Sequence, residues 1–169
     1  YLEDAPRDWA TVQLIARTAE EDELFTLDEI NLAFVRPKKP TDRQLAYAQG
    51  HWMYEYIVER FGPEAPLKLM DAYAVGTKEE QAYVSLLGLS REQFVKDFKV
   101  WAKAQLVSWG MVLPDGMPSV DDLLVRHNTL VTSQGGEAAE EPTLAMLEAW
   151  VVEHPKHPDV LRSIVSAKL

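Results

Sequence analysis

Cysteine is absent from this sequence. That excludes disulfides, thiolate metal sites and a cysteine nucleophile, and leaves the compartment undecided. Histidine is scarce, the four being His51, His127, His154 and His157. No HExxH occurs, and no two histidines stand four apart on a helix, the spacing that turns two imidazoles toward one zinc. His154 and His157 stand three apart, but a proline comes after each, which marks turn residues rather than a ligand pair. GxSxG, P-loop and GxGxxG patterns are missing too, so the residues alone contain no complete active site. Basic side chains are outnumbered 17 to 27, giving a net charge of −10. Such a surface repels nucleic acid and anionic membrane, and no basic patch reverses it. Neither a signal-peptide pattern nor an apolar run of membrane-spanning length is present. Sustained strand alternation is also lacking, which predicts an all-α fold.

What is there suffices for a core. Hydrophobic residues make up 47% of 169, enough for one domain with a small appendage. Tyr1 in place of methionine predicts a piece of a longer protein. The organising stretch is residues 46–62, a long helix opened by Thr41 or Asp42 and closed by Gly62. Positions 47, 50, 51, 54, 58 and 61 fall on one stripe, and Leu45, Ala48, Trp52 and Tyr56 fill most of the opposite side. Only a strip with Glu55 and Glu59 looks solvated, so this is expected to be the central, buried helix. Gly50 inside it costs about 1 kcal/mol against Ala, which predicts a close approach to its backbone.

Around this helix the chain reads as helix after helix. One starts near Asp8 with Trp9, Val12, Ile15, Ala16 and Ala19 at helical spacing. Next come a short turn capped by Thr26 and Glu29 and then the stiff basic link Arg36-Pro37-Lys38-Lys39-Pro40. Pro63 is expected at the first position of the next helix. Thr77-Lys78-Glu79-Glu80 and Ser90-Arg91-Glu92-Gln93 are capping boxes, the second opening a helix through Phe94, Phe98, Trp101 and Trp109. These elements form a helical domain, 1–110. Pro and Gly in 111–118 mark a linker. Residues 119–169 read as a helical-hairpin tail, with a small acidic loop at 133–142 expected to be mobile and flanking helices near 120–131, 143–153 and 159–168. The tail is expected either to dock on the main domain or to begin a helical repeat.

Ala46-Tyr47-Ala48-Gln49-Gly50, continuing into an aromatic helix ending Tyr56-Ile57-Val58-Glu59-Arg60-Phe61-Gly62, resembles the helix downstream of the zinc site in gluzincin metallopeptidases. Those are the HExxH…E zinc peptidases, and the likeness is to the bacterial peptidase MA-like group. It extends through Leu67-Lys68-Leu69-Met70-Asp71-Ala72-Tyr73 and Gly88-Leu89-Ser90 to Trp101, over the first 110 residues or so. Tyr1-Leu2-Glu3 resembles the residues just C-terminal to the family's Glu-Gly-Leu-Ala motif, which implies that the chain begins just after the third zinc ligand. The tail is similar to the start of tetratricopeptide-type repeats.

The resemblance implies a C-terminal helical part of a zinc metallopeptidase-like protein that supplies a cleft wall and no metal ligand. Zinc belongs to the full-length parent, with no cofactor in this chain, and the chain alone is expected to be inactive. Tyr47 and Gly50 match the family's Tyr-x-x-Gly, whose tyrosine donates a hydrogen bond to the oxyanion. A tyrosine phenol keeps its proton at neutral pH and can meet that charge. Gln49 stands where the aminopeptidases usually have Lys, which leaves the substrate class open. Gly50, His51 and Tyr54 are the expected cleft-lining residues. From the residues themselves, Tyr47 reads first as a core tyrosine with its hydroxyl tied to a neighbour, and the resemblance brings the two readings level. The expected partners are a peptide or protein substrate of the parent and a protein met through the tail, with no nucleic acid and no membrane segment. The family implies a bacterial, exported or periplasmic setting. The alternative is a non-catalytic helical interaction or scaffold module, a degenerate relative of these peptidases.

Overall fold

The structure, a computed structural model, describes residues 8–169. Tyr1-Leu2-Glu3 and the reading placed on them lie outside the described residues. Among the described residues there are nine α-helices and no strand, so the fold is all-α. The chain divides into two compact units, the first ending at Leu106 and the second being Val107–Leu169.

In the first unit, local chemistry sets most of the helix starts. Helix α1 (Trp9–Glu20) opens at Asp8, whose carboxylate accepts the Thr11 N–H at 3.0 Å. Helix α2 (Leu27–Val35) opens with a complete capping box, Thr26 Oγ1 accepting from the Glu29 N–H and Glu29 accepting from the Thr26 N–H at 2.8 Å. The backbone and hydroxyl of Thr26 hold the Glu29 carboxyl below the usual range. Asp42 opens helix α3 (Asp42–Phe61) by binding backwards. Its buried carboxylate accepts from the N–H groups of Lys38 and Lys39 at 2.7 and 2.8 Å, while Thr41 makes no side-chain cap bond. The basic link is therefore tied to the helix it leads into.

Helix α3 is the hub, packed against α1, α2 and helix α4 (Ala65–Ala74). Its inward side buries Leu45, Gln49, Trp52, Met53 and Tyr56. The Tyr56 ring lies 5.5 Å from both Phe94 and Trp101 and 6.0 Å from Phe98. These belong to helix α6 (Arg91–Ser108), along which Phe94, Phe98, Ala102 and Leu106 are fully buried. Arg91 ties α6 to Asp28 of α2 and to Glu79 of helix α5 (Glu79–Ala82), at 2.6 and 3.0 Å. Gln49 is the one fully buried amide of α3. It accepts from the Phe25 N–H at 2.8 Å and donates to the Phe25 carbonyl at 2.7 Å, clamping the α1–α2 loop onto the hub.

Four local expectations are corrected. The hub is not enclosed on every side, because Tyr47 and Tyr54 are 67% and 52% exposed. Helix α4 starts at Ala65 rather than Pro63, since Gly62 at φ 92° first turns the chain and Ala65 N–H bonds back to its carbonyl. The box at Thr77 does not form: Lys78 is the cap, with no side-chain bond, and α5 passes into a π-helical turn, Tyr83–Leu87. At Ser90 half a box forms, because the hydroxyl accepts from the Gln93 N–H but the Gln93 amide turns to Asp97 at 2.6 Å.

The second unit holds helices α7 (Val120–Ser133), α8 (Leu144–Glu153) and α9 (Pro158–Lys168). Ser119 and Asp122 form a capping box for α7, and Thr143 caps α8. Leu123, Met146, Leu147, Trp150 and Val160 make its core. The acidic loop before α8 is held by Asn128, whose amide donates to the Ala139 carbonyl at 2.8 Å and accepts from its N–H at 2.9 Å. Among the described residues no helix is long and apolar enough to cross a membrane.

Removing the Gln49 amide while keeping its length tests the clamp. Gln49→Met leaves the Phe25 N–H and carbonyl without their partner, a loss of about 2–3 kcal/mol. Urea unfolding of the variant should show that loss at unchanged m-value; a loss below about 0.5 kcal/mol would show that the clamp is not needed.

Candidate functional site

The candidate site is the outward side of α3. Three to four residues separate Arg43, Tyr47, Gly50, Tyr54 and Val58, so they recur on one line, opposite Leu45, Gln49, Trp52 and Tyr56. Tyr47 is positioned from the side by α2, with the Phe34 ring meeting it edge-on at 4.9 Å and 75°. Among the described residues its hydroxyl has no hydrogen-bond partner, and the ring is two-thirds exposed. The core-tyrosine alternative is thereby overturned.

Gly50 lies one turn on. A Cβ built there would meet nothing within 4 Å, so the expected close approach to its backbone is corrected: the outward line faces open space. His51 is half-buried, and its Nε2 lies 3.3 Å from Glu55 Oε1, four residues along the helix. Tyr54 is half-exposed. The structure thus brings Tyr47, Gly50, His51 and Tyr54 to one side of one helix. The aromatic set Trp52, Tyr54 and Tyr56 is split, since only Trp52 and Tyr56 enter the core.

A hollow of about 550 Å³ in the first unit is lined by none of these four residues. It lies among the α1–α2 loop, the basic link and the start of α3, and several of its charges are engaged. Lys39 pairs with Glu23 at 2.7 Å, Lys99 with Asp22 at 3.2 Å, and Asp42 binds the link. This is the pattern of structural ion pairs rather than of a poised acid or base.

The described residues do not fit zinc. Among the described residues no three of His, Asp or Glu come together as a ligand set. His127 meets Trp150 edge-on at 6.5 Å, and the His154 ring lies 6.3 Å from that of His157. His157 is fully buried, its Nδ1 accepting from the Val160 N–H at 3.4 Å and its Nε2 lying 2.8 Å from the Pro118 carbonyl. With Nδ1 as acceptor, the hydrogen sits on Nε2 and is donated to Pro118. More than a turn residue, His157 fastens the start of α9 to the segment before α7.

Sequence reasoning missed two structural amides, Gln49 and Asn128, and the role of His157. A signal was present at Gln49, a polar residue among inward apolar positions, where burial demands partners. No protein-family model, no curated protein and no solved structure matches this chain.

Because the Tyr47 hydroxyl is exposed and unpaired, removing it should not touch the fold. Tyr47→Phe should change the unfolding free energy by less than about 0.5 kcal/mol. Thermal and urea unfolding check this; a loss of about 1 kcal/mol or more would return Tyr47 to the core.

Proposed function

We propose that this chain is the helical part, C-terminal to the zinc ligands, of a gluzincin-type zinc metallopeptidase of the peptidase MA-like group. The outward side of α3 then forms one wall of the substrate cleft. Tyr47 carries the proposal: an exposed phenol with a free hydroxyl, held by Phe34, on a helix that buries Trp52 and Tyr56 on its opposite side. An oxyanion donor needs a proton aimed into solvent-accessible space and a ring that does not wander. Gly50, His51 and Tyr54 line the same wall, with Gly50 leaving room for a peptide backbone. On the resemblance, the metal and its glutamate base belong to the parent, in an exported or periplasmic setting. No step through the metal is assigned to this chain.

A second function, a non-catalytic helical scaffold, draws on a different observation. Helix α4 exposes Leu67 and Met70 at 64% and 65%, apolar surface of the kind a protein partner covers.

The deciding experiment uses the full-length parent on a peptide it cleaves. Tyr47→Phe should lower kcat by about 10²–10³ with KM and stability little changed, the signature of an interaction made in the transition state. Unchanged turnover in the folded variant would end the catalytic assignment and favour the scaffold.

A further inference from the structure

We infer that the shoulder where α2 runs into α3 docks an acidic protein segment bearing apolar side chains. Three cations crowd this shoulder within eight residues: Arg36 at the end of α2, Lys38 in the link and Arg43 in the first turn of α3. Among the described residues none of the three has an ion-pair partner, unlike Lys39 beside them, which holds Glu23 at 2.7 Å.

Carboxylates are nearby but already committed. Arg36 and Lys38 line a hollow of about 50 Å³ together with Glu29 and Asp42. Glu29 binds the N–H and hydroxyl of Thr26, and Asp42 binds the N–H groups of Lys38 and Lys39. Both acids are spent on the backbone but keep their charge, and Lys38 helps to draw the Glu29 carboxyl down; Arg36 and Arg43 make no ion pair among the described residues.

Apolar surface adjoins the cations. Leu32, which lines the same hollow, is 53% exposed, and Val35, next to Arg36, is 74% exposed. Tyr47 lies one turn past Arg43, with Phe34 against its ring. The expectation of no basic patch is corrected here: residues 36–43 hold four basic side chains and one carboxylate beside exposed apolar ones, on a chain of net charge −10.

Charge complementarity selects an acidic occupant, and the exposed leucine, valine and tyrosine select one with apolar anchors. An anionic bilayer fits less well, because three cations would have to hold a strongly acidic chain against it, with Glu59 exposed on the same helix. The inference goes beyond the peptidase proposal and does not require it. Within that proposal, the segment would be a flank of the substrate.

The test is fluorescence anisotropy on the whole 169-residue chain. The probe is a short labelled peptide rich in Glu with Leu and Phe between, and the control has Lys in place of Glu. Saturable binding of the acidic peptide alone is expected, weakening as salt rises. Arg36→Glu with Arg43→Glu should weaken it by about tenfold or more. Leu32→Ser with Val35→Ser should weaken it too, and circular dichroism checks that both variants are folded. Equal binding of the Lys peptide, no binding of either, or unchanged affinity in the charge-reversed variant would overturn the inference. So would retention on phosphatidylserine vesicles without peptide binding. Neither readout uses turnover, so failure here leaves the Tyr47 experiment standing.

Discussion

One buried amide sets how the hub helix faces. Gln49 has no contact with solvent, and an amide taken out of water without partners is costly, so its two bonds to Phe25 have to be kept. Keeping them fixes the rotation of α3 about its axis and holds the α1–α2 loop to it. Two residues along a helix is a turn of about 200°. With Gln49 inward, Tyr47 must therefore face away, and so must Tyr54, another seven residues on. The exposure of the candidate site and the burial of Gln49 are one geometric fact. It also changes the meaning of Gln49 within the resemblance: the residue preceding Gly50 is a structural clamp here, turned away from the side that carries Tyr47.

The second unit repeats the device. Asn128 meets both the N–H and the carbonyl of Ala139, as Gln49 does with Phe25. In each case a helix amide satisfies a loop residue whose backbone has no ladder or helix to join. His157 does related work with two ring nitrogens, one for the first turn of α9 and one for the Pro118 carbonyl. Side-chain hydrogen bonds from helices thus pin loops and a helix start that have little apolar surface to hold them.

Much of this was legible from the sequence. Asp8 and Thr26 with Glu29 mark helix starts because capping chemistry is local and needs no tertiary partner. Their neighbours explain the misses. Thr77 loses its box because the chain enters α5 one residue later, and Pro63 yields to the turn that Gly62 makes. The π-helical turn at Tyr83–Leu87 has no sequence signature of its own, and burial beside Phe94 pushes the Tyr83 phenol up. The placement of Tyr47, Gly50, His51 and Tyr54 on one side came from their spacing. Their exposure did not, because an apolar stripe reads the same whether a neighbour covers it or not. Gln49, a polar residue among the inward positions, was the one mark of the difference, and it was missed.

The orientation of α3 is the claim on which the site, the proposed function and the docking shoulder all rest. Tyrosine nitration of the folded chain with tetranitromethane, mapped by mass spectrometry, tests it directly. Tyr47 and Tyr54, at 67% and 52% exposure, should be modified early, while Tyr56 and Tyr83, at 4% and 6%, should be spared until the chain unfolds. Early modification of Tyr56 with protection of Tyr47 would contradict the account, since it would require α3 to be turned the other way about.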